Sequence, residues 1–202
     1  GAVGKLDLHE VEAVYDKEAR HYDLKHHFTT RGQDTTWRRQ AGWFVAGTAK
    51  RLSRRPKVLD LCTGTGLTIE EMITVLADSG QEADLVGLDY NERMLQVART
   101  RPNGKAHNGT TVEYVRGDAM RLVESTEVES NGLAKFASGT FDAVTQMFGI
   151  GGIDGSLAVF KSVLSVLKPD GDYQVIDMHQ PLAHQPGEVP VLWHWWRFPA
   201  LE

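Results

Sequence analysis

The chain has 202 residues, 41% of them hydrophobic and 24% charged, and a formal net charge of -5. That balance suits one soluble globular domain with a real core, and it disfavours a general nucleic-acid binder, which needs a basic face. No apolar run reaches the roughly 18 residues of a membrane helix, and the single cysteine, Cys62, leaves no internal disulfide, as a reducing cytosol would favour.

The opening "GAVGKLDLHE" lacks the basic-then-apolar pattern of a secretion signal. "LHEVEAVYDKEARHYDL" reads as an amphipathic helix, and "TTWRRQAGWFVAGTAKRLSR" as a second. Pro56 marks the break before the first strand, "KVLDL". Helix "TIEEMITVLADS", strand "ADLVGLD", helix "NERMLQVARTR" and strand "TVEYVRG" follow. The polar stretch "ESTEVESNGLAKFASGT" reads as a mobile surface insertion from about Glu124 to Gly139. Strand "FDAVTQMF", helix "SLAVFKSVLSVL" and strand "DYQVIDMH" close the series. Apolar strands between amphipathic helices predict an α/β fold: a doubly wound, mostly parallel, Rossmann-like sheet with helices on both faces. Residues 1–56 form an N-terminal helical segment, read as a lid for substrate or cofactor, on an α/β unit over 57–202; the whole is one domain.

In such sheets ligands sit outside the carboxyl ends of the strands. Asp60, Asp89, Asp118 and Gln146 follow or close successive strands, and Asp177 comes next. Any one of them alone is an ordinary loop residue or helix cap; several on one rim point to a ligand. The turn "DLCTGTG" holds Gly64 and Gly66, yet the dinucleotide fingerprint G-x-G-x-x-G/A needs a small residue where Ile69 stands. Asp60 would also repel a diphosphate. Asp89 lies near the ribose-binding offset of nucleotide folds, and Asp118–Ala119 suits an adenine edge. The ligand read from these residues has an adenosine half, a cationic half and no diphosphate, which matches S-adenosylmethionine.

Taken together, "VLDLCTGTG", "VGLDYNERMLQVAR", "VEYVRGDAMRL", "FDAVTQMFGI" and "VLKPDGDYQVIDMH" resemble the successive motifs of class I S-adenosylmethionine-dependent methyltransferases. Within that group the chain is similar to the ubiquinone/menaquinone C-methyltransferase branch, through "YDLKHHFTTRGQDTTWRR" as well. The resemblance implies that Gly64 and Gly66, with Cys62 and Thr63 of the same turn, lie against the methionine half. It gives Asp60 the turn and the amino group, directly or through water, and Asp89 the ribose hydroxyls. Tyr90 and Met94 flank the adenine, Asp118 and Ala119 meet its edge, and Gln146 closes the rim. Tyr22 and Arg38 close over the carboxylate end. Where that branch carries an Arg-Asn pair after strand four, this chain has Gly151–Gly152, which counts against quinol C-methylation. The fold normally continues with a helix and two antiparallel strands; their absence would leave strand five with an open edge and favour a homodimer or a longer natural chain. The tail, with Trp193, Trp195, Trp196 and Phe198, is expected to run irregular and partly extended.

Methyl transfer asks mainly for proximity and a dry pocket. A general base is needed only for a protonated nucleophile; His179 is the candidate, ahead of His26, His27 and Tyr15. His179 and His184 make poor evidence for a metal, and none is expected. "QMFGIGG" lacks the Asn/Asp-Pro-Pro-aromatic motif of nucleic-acid amino-methyltransferases, so a small-molecule acceptor is expected, with no nucleic acid and no integral membrane segment, in the cytoplasm. Two other readings stay open: a nicotinamide-dependent oxidoreductase, and an S-adenosylmethionine-binding protein that does not methylate.

Overall fold

Residues Gln33–Leu52 form helix α1, Leu67–Ser79 α2, Glu92–Thr100 α3 and Ser156–Val166 α4. The strands are β1 (Lys57–Leu61), β2 (Asp84–Asp89), β3 (Thr111–Arg116), β4 (Phe141–Met147), β5 (Leu167–Ile176) and β6 (Trp196–Pro199). The structure is a computed structural model and describes residues 23, 27–28, 30–101, 109–123, 135–149, 155–177 and, by backbone alone, 196–199.

The sheet order is β3-β2-β1-β4-β5-β6. β1 through β5 pair in parallel. Their apolar runs are explained by cover on both faces. On one face α1 and α2 bury Ala41, Val45, Met72, Ile73 and Leu76 with Val58 and Leu85. On the other, Val159 and Val163 of α4 pack with Leu59, Leu61, Val86 and Val144. The order reverses between β1 and β4, which opens a crevice at the carboxyl ends of those strands.

The structure corrects three expectations. β5 begins at Leu167, not Asp172: Leu167 pairs with Phe141, and the register then shifts so that Asp172 pairs with Ala143. Pro169 is tolerated because it falls in that irregularity. The edge of β5 is not open either. Trp196–Pro199 of the tail adds as an antiparallel strand, with Val175 opposite Trp196 and Asp172 opposite Pro199. Finally, the carboxyl end of the expected mobile insertion is packed. Positions 124–134 lie outside the described residues, but Phe136 bridges to Val123, donates its N–H to the Leu122 carbonyl at 2.8 Å and meets the Phe141 ring edge-on at 4.9 Å.

Cross-element ion pairs fasten the amino end of the sheet. The Asp142 carboxylate accepts from Arg54, from Lys168 at 2.8 Å and from the Lys57 N–H at 2.9 Å. Burial pushes its pKa up, but these donors outweigh burial and hold it well below the carboxylate range. Arg51 meets Asp172 at 2.8 Å, and Arg55 pairs with Asp84.

Candidate functional site

The crevice is built on the turn after β1. Cys62 takes a left-handed φ of 53°, and Thr63 N–H donates to the Leu88 carbonyl at 3.0 Å, so the turn leans on β2. Asp60 closes the strand at 1% exposure. One of its oxygens accepts from the Thr63 hydroxyl and the other from the Thr145 hydroxyl of β4, each at 2.7 Å. Burial raises its pKa to about 6, held back by the two threonine bonds and the Arg38 charge.

At the end of β2, the Asp89 carboxylate accepts from Gly64 N–H at 2.8 Å and from Asn91 N–H at 2.9 Å. Burial raises its pKa, and backbone N–H groups partly offset this. Asn91 then caps α3 by accepting from Met94 N–H at 3.0 Å. Asp89 therefore ties the glycine turn to the start of α3 and keeps lone pairs for further donors.

The two glycines of the turn differ. A Cβ on Gly64 would find nothing nearer than the Cys62 carbonyl at 4.0 Å, while on Gly66 it would fall 2.7 Å from the Tyr114 hydroxyl and 3.0 Å from the Ala98 Cβ. Gly66 makes room for the protein's own packing; the space over Gly64 stays open for a ligand.

The other expected site residues differ in burial and partners. Tyr90 is partly exposed, and the Arg116 guanidinium lies 5.3 Å from its ring. Asp118 accepts from Met120 N–H at 2.9 Å, beside buried Ala119. Arg38 is not a surface residue of α1: it is buried, donates to the Thr68 hydroxyl of α2 at 2.7 Å and lies over the Phe148 ring. Met94 is buried too, at 2% exposure. Gln146 lies beneath the turn. It is completely buried; its amide oxygen accepts from the Tyr173 hydroxyl and its amide nitrogen faces the Cys62 sulfur at 3.7 Å. It supports the turn from below. Burial raises the Cys62 thiol above its ordinary range. His27 is exposed and sits 3.3 Å from Asp34. Tyr15, Tyr22, His26, Gly151–Gly152, His179, His184, Trp193 and Trp195 lie outside the described residues, and of Trp196 and Phe198 only the backbone is described. No group of three metal-ligating side chains forms among the described residues, and none of their helices is long and apolar enough to cross a membrane.

Sequence reasoning missed Thr145 and Tyr114, which support the turn from β4 and β3, and Asp23, Thr65 and Arg101, which join at its rim. Thr65 between the two glycines was the one available signal.

The chain belongs to the ubiE/COQ5 methyltransferase family, whose profile matches residues 4–199. The demethylmenaquinone methyltransferase of Beutenbergia cavernae is 33% identical over 178 residues, which cover 87% of this chain and 60% of that relative. That of Mycolicibacterium vanbaalenii is 33% identical over 175 residues, or 87% and 63%. The chain thus spans less than two thirds of the length of these relatives. Among solved structures, the plantazolicin methyltransferase BpumL, in complex with a monoazolic desmethylPZN analog and SAH, matches with a TM-score of 0.56 at 14% identity, over 84% of this chain and 57% of that one. The fold is shared.

Proposed function

We propose that this family member binds S-adenosylmethionine over the Gly64 turn and transfers its methyl group to a small-molecule acceptor. The observation that carries the reading is the Asp89 carboxylate on the Gly64 N–H at 2.8 Å. In a dinucleotide fold the turn's N–H groups and helix N-terminus receive a diphosphate; here a carboxylate already occupies one of those donors. The same contact speaks against the nicotinamide reading. The residues present fit an adenosyl sulfonium: the space over Gly64 is open, Asp89 can accept from ribose hydroxyls, and Asp60 supplies negative charge to the amino-acid end.

When bound, S-adenosylmethionine supplies an electrophilic methyl group. The chain's own contribution is to place and enclose. Asp60 and Gln146 fix the turn, Asp89 sets the ribose, and Tyr90, held by Arg116, lines the adenine side with Met94, Asp118 and Ala119. Arg38 ties α1 to the start of α2. The relatives' names make a demethylmenaquinone-type ring the first acceptor to test. It should be offered reduced, because a quinol ring is electron-rich and a quinone ring is not. A carbon acceptor must lose a ring proton after attack; His179 is the candidate base from its sequence position. The Gly151–Gly152 pair favours a second reading, in which the cofactor binds but a different small molecule is methylated, or none.

Calorimetry with S-adenosylmethionine, S-adenosylhomocysteine and NADH tests the binding half: the first two should bind and NADH should not. Turnover on a panel of reduced quinones and other phenols tests the acceptor. NADH binding with no response to S-adenosylhomocysteine would overturn the proposal.

A further inference from the structure

One cation outside the expected site residues joins three elements at the glycine turn. Arg101 follows α3, and its side chain is only 15% exposed. Its Nε donates to the Thr65 carbonyl, one terminal nitrogen to the Glu70 carboxylate at 2.8 Å, and the other to the Asp23 carboxylate. The second oxygen of Asp23 accepts from the Thr65 hydroxyl at 2.5 Å. Thr65 is buried and stands between Gly64 and Gly66. Asp23 is therefore held twice at one residue of the turn: directly by its hydroxyl, and through the cation that grips its carbonyl.

We propose that Arg101 is a positioning residue that latches Asp23 onto the Gly64–Gly66 turn and so couples the place of Asp23 to ligand binding. Only the ligand's identity rests on the function proposed above. The geometry needs arginine: three acceptors are met by three N–H directions of one planar fork, and lysine offers a point charge instead. Two carboxylates face one guanidinium, so the latch keeps one formal negative charge beside the turn, which suits a cationic ligand. Without Arg101, Asp23 and Glu70 repel each other, and Asp23 keeps only the Thr65 hydroxyl of the two ties described above.

The test uses Arg101→Gln, Asp23→Asn, their double variant and Arg101→Lys. Each is assayed for S-adenosylhomocysteine binding by calorimetry and for tryptic cleavage after Arg20 and Lys25, with and without that ligand. Each single neutral variant should weaken binding about tenfold, the scale of one charge-assisted hydrogen bond. The double should be little worse than either single, since both remove the same contact. Cleavage should be faster in the variants, and the ligand should slow it in the wild type far more than in them, as reciprocal coupling requires. Arg101→Lys should fall between wild type and Arg101→Gln in affinity. A general loss of stability would speed cleavage throughout the chain and give multiplying effects in the double variant, and that result overturns the proposal. So do wild-type affinity and unchanged cleavage in Arg101→Gln. If the wild type binds no S-adenosylhomocysteine, the proposed function fails, while ligand-free cleavage still decides the latch.

Discussion

Alanine at Gly64 and at Gly66 should separate a glycine that faces a ligand from one that accommodates packing. Both have positive φ, 56° at Gly64 and 82° at Gly66, so alanine costs about 1–2 kcal/mol of backbone strain at either position. Only at Gly66 does the added carbon collide, at 2.7 Å from the Tyr114 hydroxyl and 3.0 Å from Ala98, and overpacking of this kind adds about 1–3 kcal/mol. Gly66→Ala should therefore destabilise by about 2–5 kcal/mol and Gly64→Ala by about 1–2 kcal/mol. In a chain of this size each kcal/mol moves the melting temperature by roughly 2–4 °C. Affinity should rank the other way: Gly64→Ala should weaken S-adenosylhomocysteine binding more than Gly66→Ala does below its melting point. The buried Tyr114 hydroxyl has no hydrogen-bond partner among the described residues, so Tyr114→Phe alone should be neutral or stabilising by about 1 kcal/mol. In the Gly66→Ala background it should recover part of the loss, because the ring carbon at 3.3 Å remains. Thermal melts and calorimetry on the four variants and the wild type decide it. Equal melting temperatures for the two alanine variants, with equal affinities, would refute the division.

Three further outcomes follow from the same contacts. Asp89→Ala removes the acceptor for the Gly64 N–H and, in the function proposed above, for the ribose, and should weaken binding about ten- to a thousandfold by calorimetry; Asp89→Asn, which keeps an acceptor, should lose less. Asp60 has its pKa raised from 3.8 to about 6 by burial, against the pull of Thr63 and Thr145. The folded state then binds more protons than the unfolded one between those values. This contribution to stability is complete below about pH 4 and is lost as pH rises through about 6, by on the order of 3 kcal/mol, and Asp60→Asn should flatten that slope in urea titrations. Asp142, at the opposite end of the sheet, has a lowered pKa, so its stabilisation is present above the ordinary carboxylate pKa and fades on acidification; Asp142→Asn should lower the urea midpoint at neutral pH and leave ligand affinity unchanged.

How far the sequence reaches depends on which residues decide each feature. β1 and β2 were legible because a short apolar run bounded by Pro56, Gly80 and a terminal aspartate admits one reading. The start of β5 was not, because "LKPDG" is local turn chemistry, and only Phe141 opposite Leu167 extends the strand through it. β6 was not legible either: "WRFP" alternates over only three residues before a proline, and pairing along the edge of β5 makes it a strand. Asp60, Gly64 and Asp89 could be named because strand ends fix their place. Gly66 looks the same as Gly64 in the motif, and only Tyr114, arriving from β3, distinguishes them. Arg101 reads as a solvated cation at a helix end; its partners come from three distant segments, which no local pattern announces.

The direction of the pKa shifts separates carboxylates that hold the fold together from those that face the crevice. Asp142 is met by two cations and moves down. Asp60 and Asp89 are met by hydroxyls and backbone N–H groups and move up. Neutral donors orient a carboxylate without cancelling its charge, and the Arg38 charge offsets the burial of Asp60 only in part, so both stay raised until a further positive partner arrives. A cationic ligand at the turn supplies one. Between about pH 5 and 7 its arrival should pull Asp60 back toward the ordinary range and release part of a proton. The effect is measured by titrating S-adenosylmethionine calorimetrically in two buffers of different ionisation enthalpy. The apparent enthalpies should differ near pH 6 and converge near pH 8, and Asp60→Asn should remove the difference. Equal enthalpies in both buffers at pH 6 would mean that Asp60 does not sense the ligand's charge, and its place at the cationic end of the site would have to be given up.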